Sequence, residues 1–227
     1  MSSQRRICLV GATGMVGRTL IEQAVHRQDL RIIGVARREM QLPKGARMEM
    51  LLADPANWGD AIAAANARVM VCALGTTMKK AGEDEAAFRA VDFDLVLSAA
   101  RGAQAAGIQH VIVVSSVGAD VLAKNFYLRT KGEMEEALAR LRFRRLDVVR
   151  PGLIRGHRID DPRPLERLGM IASPLIDLFL TGERRKYRSI DAEILSQAIF
   201  ALAREKAGGH FVHEHDALLR AIRRAGG

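Results

Sequence analysis

The sequence predicts an α/β fold built on a doubly wound parallel sheet, and three observations lead to this class. Short, continuous apolar runs, typical of strands buried on both faces, recur along most of the chain. Stretches with apolar residues at helical spacing separate them, as crossover helices require. A glycine-rich turn joins the first run to the first helical stretch. With 227 residues and 48% hydrophobic content, we expect a single domain, 1–227.

The turn after the apolar run 7–10 is built around Gly11, Gly14 and Gly17. The first glycine permits a tight turn, the second lets the backbone approach a ligand, and the third lets helix and strand pack closely. The N–H groups at the start of the following helix form a site for a pyrophosphate. Thr13 departs from GxGxxG spacing, but the strand before and the helix after favour a dinucleotide site over a purely structural turn.

The second apolar run, 31–36, ends at Arg37 and Arg38. A protein that binds NAD places an acidic residue near this position to hold the ribose hydroxyls. Two guanidinium groups suit a 2′-phosphate instead, so the sequence predicts NADP(H) as cofactor. A solvated basic turn is the alternative explanation.

Composition limits the classes of partner. The formal net charge of +9 attracts anions without specificity, but the aromatic content is only 4% and the arginines are scattered. These features favour steering of an anionic cofactor or substrate over nucleic-acid binding. The apolar runs are too short to span a bilayer, and the N-terminal residues lead directly into the first strand, so we expect a cytoplasmic protein. Cys8 and Cys72 lie in apolar runs without CxxC spacing and are expected in the core.

Three later apolar runs end at residues that can contact a ligand, because ligands cross the carboxyl ends of parallel strands. The run 69–73 is followed by Leu74, Gly75 and Thr76, the run 108–114 by Ser115 and Ser116, and the run 146–150 by Pro151. We expect the segment after 69–73 to contact the cofactor through backbone groups and a threonine hydroxyl.

Tyr127 and Lys131 lie one turn apart on the same face of a predicted helix, 125–141. A lysine charge beside a phenol favours the phenolate, so Tyr127 could give or take a proton at a substrate oxygen. Ser116, or alternatively Ser115, would hydrogen-bond that oxygen, and Lys131 would also reach the ribose beside the nicotinamide. YxxxK arises by chance on solvated helices, but the serine pair upstream and the glycine turn favour a catalytic role.

Residues 155–188 are expected to form a small C-terminal substrate lid. Its basic residues suit a phosphorylated or carboxylated substrate, although a solvated basic loop explains them equally well. These residues are Arg155, His157, Arg158, Arg163 and Arg167. On a predicted final edge strand, 210–215, three histidines accompany Glu214. No fourth ligand is fixed, so surface histidines are favoured and no metal site is predicted.

Taken together, these segments resemble an atypical short-chain dehydrogenase/reductase, most similar to the Tat-interacting-protein-like oxidoreductases, with NmrA-like and epimerase/dehydratase proteins as more distant relatives. The resemblance covers about residues 5 to 165. It is carried by GATGMVG at 11–17, Arg37-Arg38, CALGTT at 72–77, VVSSVGAD at 113–120, YLRTKGE at 127–133 and RPG at 150–152.

The resemblance implies a Rossmann sheet, NADP(H) and a catalytic site of Ser116, Tyr127 and Lys131. It also implies cofactor contacts at Thr13, Gly14, Met15, Val16, Arg37, Arg38, Leu74, Gly75, Leu153 and Ile154. The asparagine of the wider superfamily has no counterpart on helix four, where Asp92 or Ser98 stands instead, so a full proton relay is not expected.

The sequence therefore predicts a cytoplasmic oxidoreductase that transfers hydride between NADP(H) and a small carbonyl or alcohol. One alternative is a non-catalytic NADP(H) sensor that binds a protein partner. A second is a nucleotide-sugar epimerase or dehydratase, which the short C-terminal portion disfavours.

Overall fold

The computed structural model describes residues 4–46, 48–156, 177 and 180–226. Nine strands are assigned in the described residues: β1 Arg5–Val10, β2 Leu30–Ala36, β3 Glu49–Leu52, β4 Val69–Cys72, β5 His110–Val114, β6 Arg145–Val149, β7 Ile154–Arg155, β8 Ile190–Asp191 and β9 Gly209–His213. Seven of them form one sheet in the order β3-β2-β1-β4-β5-β6-β9, and every pair is parallel. Strands β7 and β8 pair separately.

The α-helices are α1 Met15–Ala24, α2 Trp58–Ala64, α3 Glu85–Arg89, α4 Val96–Ala105, α5 Phe126–Arg140, α6 Ala192–Leu202 and α7 His215–Gly226. A π-helical turn, Ala90–Leu95, joins α3 directly to α4. Short 3-10 segments cover Pro55–Asn57 and Gly182–Tyr187. No helix in the described ranges combines the length and apolar character that crossing a bilayer needs.

The sheet is buried on both faces, because successive side chains of each strand point to opposite sides. On β1, Ile7 packs into the core beneath α1, α6 and α7, whereas Cys8 packs into the core beneath α2, α4 and α5. The predicted doubly wound α/β class is therefore confirmed. Both cysteines are free and buried, as expected, and burial raises the pKa of Cys8 to about 12 and that of Cys72 to about 11. Neither thiol is poised to react.

A buried charged cluster joins β5, β6 and β9. Asp147 is fully buried and accepts hydrogen bonds from His110 Nε2 at 2.6 Å, Arg145 Nε at 2.6 Å and His213 Nε2 at 2.7 Å. Burial alone would raise the pKa of Asp147, but these bonds outweigh it and hold the pKa well below its ordinary value. The prediction of surface histidines is wrong for His213, which is buried as a partner of Asp147.

Two other predictions bear on the C-terminal part. Among the described residues, no group of three or more His, Cys, Asp or Glu side chains is arranged so that it could hold a metal ion. Most of the predicted lid, including His157, Arg158, Arg163 and Arg167, lies outside the described residues. The described part of 155–188 contains Arg155 in β7 and the 3-10 segment, and β8 follows it.

Candidate active site

A cleft of about 280 Å³ opens at the carboxyl ends of β1, β4 and β5. It lies where the sheet order reverses between β1 and β4, the place where open α/β sheets bind ligands. The predicted residues that line it are Thr13, Gly14, Met15, Val16, Leu74, Gly75, Thr76, Ser115, Tyr127, Lys131 and Ile154. A larger recess of about 660 Å³ lies between the end of α1 and the start of β2, away from these residues.

The structure explains the need for glycine differently at the three positions of the first turn. Gly11 has φ +95°, and a Cβ there would lie 2.5 Å from the carbonyl carbon of Ala73. A Cβ on Gly17 would lie 2.2 Å from the carbonyl oxygen of Gly11. A Cβ on Gly14 would lie 3.5 Å from that oxygen, an ordinary contact, and Gly14 lines the cleft. Packing therefore explains Gly11 and Gly17, while nothing within the fold requires glycine at position 14.

Arg37 and Arg38 follow the end of β2 and are exposed. Neither lines the cleft, and neither forms a salt bridge with any residue that the structure describes. Their charge is therefore not neutralised by the described part of the protein.

Helix α5 carries the predicted site residues Tyr127 and Lys131 into the cleft. The side chain of Asn125 accepts a hydrogen bond from Leu128 N at 3.1 Å and caps the helix. The Tyr127 ring packs on the buried Phe88, with ring centroids 5.4 Å apart. One turn later, Lys131 is buried and its Nζ lies 2.7 Å from Asp92 Oδ1.

Asp92 is one of the two candidates for the position of the superfamily asparagine. It is fully buried in the π-helical turn, and its Oδ2 accepts a hydrogen bond from Thr76 N at 2.8 Å. Ser98, the other candidate, is exposed. Asp92 thus connects the segment after β4 with α5.

The two serines occupy different environments. Ser115 lines the cleft, and its Oγ donates a hydrogen bond to Glu135 on α5. Glu135 is in turn held by Arg150, whose Nη2 lies 2.5 Å from Oε2. Ser116 lies beside the cleft rather than in its lining, and its Oγ donates to Val117 O at 3.3 Å. Neither hydroxyl directs its proton into the cleft in this arrangement.

The segment after β6 contributes little of the cleft wall. Pro151 is buried, and its carbonyl accepts a hydrogen bond from Val117 N at 2.9 Å. Leu153 is about half exposed, at 51%, and does not line the cleft. Ile154 is the one predicted residue of this segment that does.

Two cations and one positioning group of the site are not among the residues predicted from the sequence. Arg18 and Lys80 line the cleft, and Arg18 Nε also donates to Thr13 O at 3.1 Å. Glu135 lies eight residues after Tyr127, so it continues the same face of α5. Two sequence features could have identified Arg18 and Glu135. Arg18 comes directly after the glycine turn, and Tyr127, Lys131 and Glu135 follow one another at four-residue spacing.

Comparison with known proteins identifies the fold and the family. A profile of a family described as NAD(P)H-binding matches residues 11–156, from the glycine turn to the end of β7. Solved structures with similar folds include MoeE5 in complex with UDP-glucose and NAD, at TM-score 0.68 and 16% identity, covering 97% of this chain and 81% of that one. UDP-glucose 4-epimerase from Thermotoga maritima with UDP-glucose gives TM-score 0.69 at 13% identity, with the same coverage.

Relatives with higher identity are named as fungal mitochondrial proteins. "Protein fmp52, mitochondrial" of Emericella nidulans is 34% identical over 167 residues, which is 70% of this chain and 71% of the relative. Its namesake in Aspergillus niger is 30% identical and covers 85% of this chain and 84% of the relative.

These names contradict the predicted cytoplasmic location. That prediction rested on the absence of a membrane-spanning run and on the first strand starting early. Neither property decides the compartment, because cellular receptors, not the fold, read targeting signals.

The comparisons confirm the NAD(P)H-binding, Rossmann-type part of the resemblance, since the family profile covers more than half of the chain. The structural neighbours, at 13–14% identity, share the fold. With its glycine turn, parallel sheet and cleft at the strand-order reversal, the chain belongs to the NAD(P)H-binding family of Rossmann-type proteins, and the Fmp52 proteins are among its relatives.

Proposed function

We propose that the protein is an NADP(H)-dependent oxidoreductase that interconverts a small carbonyl compound and its alcohol. The observation that carries this proposal is that Tyr127 and Lys131 reach the same cleft that begins at the glycine turn. An acid–base group and a dinucleotide site therefore share one cavity.

The residues of the cleft fit a dinucleotide. Gly14 leaves open the space that a Cβ would fill at the start of α1, where free backbone N–H groups and the helix dipole favour a pyrophosphate. Arg18 and Lys80 add positive charge to the same lining. When bound, the nicotinamide supplies or accepts the hydride.

The side chains of the chain itself handle the proton and the orientation. In reduction, Tyr127 gives its phenolic proton to the carbonyl oxygen while hydride adds to the carbonyl carbon, which yields the alcohol. In oxidation, Tyr127 takes the hydroxyl proton. Ser116, or Ser115 as the alternative, would hold the reacting oxygen after its hydroxyl turns from its present acceptor toward the cleft. Lys131 orients the nicotinamide ribose. The cations of the cleft favour an anionic substrate.

Tyr127→Phe tests the acid–base role. It keeps the ring that packs on Phe88 and removes the hydroxyl, so NADPH affinity should stay within about twofold while turnover falls by roughly 10²–10⁴. The assay is loss of NADPH absorbance across a panel of aldehydes and ketones, with Tyr187→Phe as control, since Tyr187 is exposed and is not part of the cleft lining. Equal turnover in the two variants removes Tyr127 from the mechanism.

Arg37 and Arg38 are proposed to bind the 2′-phosphate and so select NADP(H). Replacing both with alanine should weaken NADPH by at least about tenfold, since each charge-assisted hydrogen bond contributes roughly 1.5–3 kcal/mol, and should leave NADH nearly unchanged. Arg68→Ala with Arg101→Ala removes the same charge from exposed positions outside the cleft lining. Equal losses for both cofactors would refute the 2′-phosphate role.

A second candidate is a cofactor-binding regulatory protein with a protein partner. It is favoured by one observation, that Ser115 donates to Glu135 and Ser116 to Val117 O, so that neither offers a donor to a substrate oxygen. This function requires that the protein binds NADPH, turns over no carbonyl compound, and keeps its NADPH affinity in Tyr127→Phe. Turnover of UDP-sugars would distinguish a nucleotide-sugar epimerase from both candidates.

The names of the relatives support a mitochondrial site of action for each candidate function.

A further inference from the structure

We propose that Asp92 is a positioning residue that holds Lys131 in a buried, charge-neutral pair. Lys131 then orients the nicotinamide ribose without acting on Tyr127 as a free positive charge. This inference rests on the proposed function for its catalytic consequence. Its structural content can be tested without turnover.

Each carboxylate oxygen of Asp92 makes one contact: Oδ1 forms an ion pair without hydrogen-bond geometry, and Oδ2 accepts a hydrogen bond. Oδ1 lies 2.7 Å from Lys131 Nζ, and Oδ2 accepts from Thr76 N at 2.8 Å. The side chains of Asp92 and Lys131 are only 1% and 4% exposed. A Cβ at Gly75 would lie 3.4 Å from Oδ1 and 4.0 Å from Nζ, so the segment after β4 covers the pair closely. The pair is a built part of the cleft wall.

The π-helical turn places Asp92 where it can meet Lys131. Such turns are wider than α-helical ones and occur frequently at functional sites. Here three buried residues, Phe88, Asp92 and Val96, follow one another at four-residue spacing through the turn. Phe88 supports Tyr127, Asp92 binds Lys131, and Val96 packs in the core.

No other carboxylate in the described chain pairs with Lys131. On its own helix, Glu133 pairs with Arg89 and Glu135 with Arg150. The remaining charged side chains of the cleft lining are the cations Arg18 and Lys80. Removing the charge of Asp92 therefore leaves a buried ammonium one turn from Tyr127, with nothing described to neutralise it.

Asp92→Asn is the test, because the amide is isosteric and still accepts from Thr76 N. The protein has two tyrosines, so in a Tyr187→Phe background Tyr127 is the only one, and its phenolate absorbance can be titrated directly. An unpaired ammonium should make the phenolate appear at a pH lower by about one unit. Asp94→Asn, at an exposed position of the same turn, is the matched control and should leave the titration unchanged.

A double variant provides a second test that does not depend on Asp92→Asn alone. Asp92→Asn with Lys131→Met removes both charges, and a neutral pair predicts a titration close to that of the parent protein. The double variant decides: a clear displacement of its titration from that of the parent overturns the proposal, because it means that Lys131 acts on Tyr127 with its full charge. An unchanged titration in Asp92→Asn alone does not overturn it, because a buried ammonium without a counter-ion can lose its proton instead.

The proposed function is tested separately. If the protein reduces a carbonyl compound, the pH–rate profile of alcohol oxidation by Asp92→Asn should move in the same direction as the phenolate titration. A displaced titration without any turnover would refute the proposed function and leave the role of Asp92 intact.

Discussion

Gly14 and Gly17 are only three residues apart, yet the structure predicts different consequences when each is replaced by alanine: chiefly a loss of cofactor affinity at Gly14 and chiefly a loss of stability at Gly17. At Gly17 the new Cβ would lie 2.2 Å from Gly11 O and 2.8 Å from Ala12 Cα, both backbone atoms of the facing turn. Overpacking of this kind costs roughly 3 kcal/mol, and alanine returns about 1 kcal/mol of helix propensity. The net loss of about 2 kcal/mol corresponds to a Tm lower by about 4–8 °C for a chain of this length.

At Gly14 the Cβ meets only ordinary contacts, and the residue is the N-cap of α1. Alanine is a poorer cap than glycine, so the loss of stability should be about 0.5–1 kcal/mol. NADPH affinity should fall at least tenfold, about 1.4 kcal/mol, because the methyl group occupies the space proposed for the pyrophosphate. Calorimetric titration with NADPH and thermal unfolding of both variants measure the two effects. Full NADPH affinity in Gly14→Ala would refute the proposed approach of the cofactor to this turn.

Two predictions concern buried charge. Asp147→Asn leaves Arg145 without its carboxylate and should cost on the order of 3–5 kcal/mol in urea unfolding at pH 7. The pKa of Asp147 is lowered in the folded protein, so the ionised carboxylate stabilises the fold fully above the unfolded pKa of about 3.9, and this stabilisation is lost as the pH falls further. The difference in free energy of unfolding between variant and parent should therefore narrow below about pH 4. A difference that stays constant with pH would contradict this prediction. Arg150→Met leaves Glu135 with Ser115 as its donor and should cost on the order of 2–3 kcal/mol, whereas an unchanged unfolding midpoint would show that the pair contributes nothing.

Most of the fold could be predicted from sequence because its signals are local. Continuous apolar runs identify buried parallel strands, and the glycine turn marks the first crossover wherever a strand precedes it and a helix follows. Tyr127 and Lys131 were found by their four-residue spacing, and the structure brings both to the cleft.

The remaining features depend on partners distant in sequence. His213 looked like a surface residue because its partner, Asp147, is 66 residues away. The role of Asp92 depends on a π-helical turn, and nothing in the sequence 90–95 distinguishes that turn from an α-helical one. Ser116 follows the predicted strand end, but the direction of its hydroxyl depends on the local turn, which residue types alone do not specify.

The position of β9 has a consequence for synthesis of the chain. This strand pairs with β6, and the residues between them must be made before His213 can reach Asp147. Until then Asp147 and Arg145 lie on the outermost strand of an incomplete sheet. A ribosome-bound chain that ends before residue 209 therefore presents the open edge of β6, and arrival of β9 covers that edge. Proteolysis of arrested nascent chains should find protection at β6 only after residue 213 has left the exit tunnel.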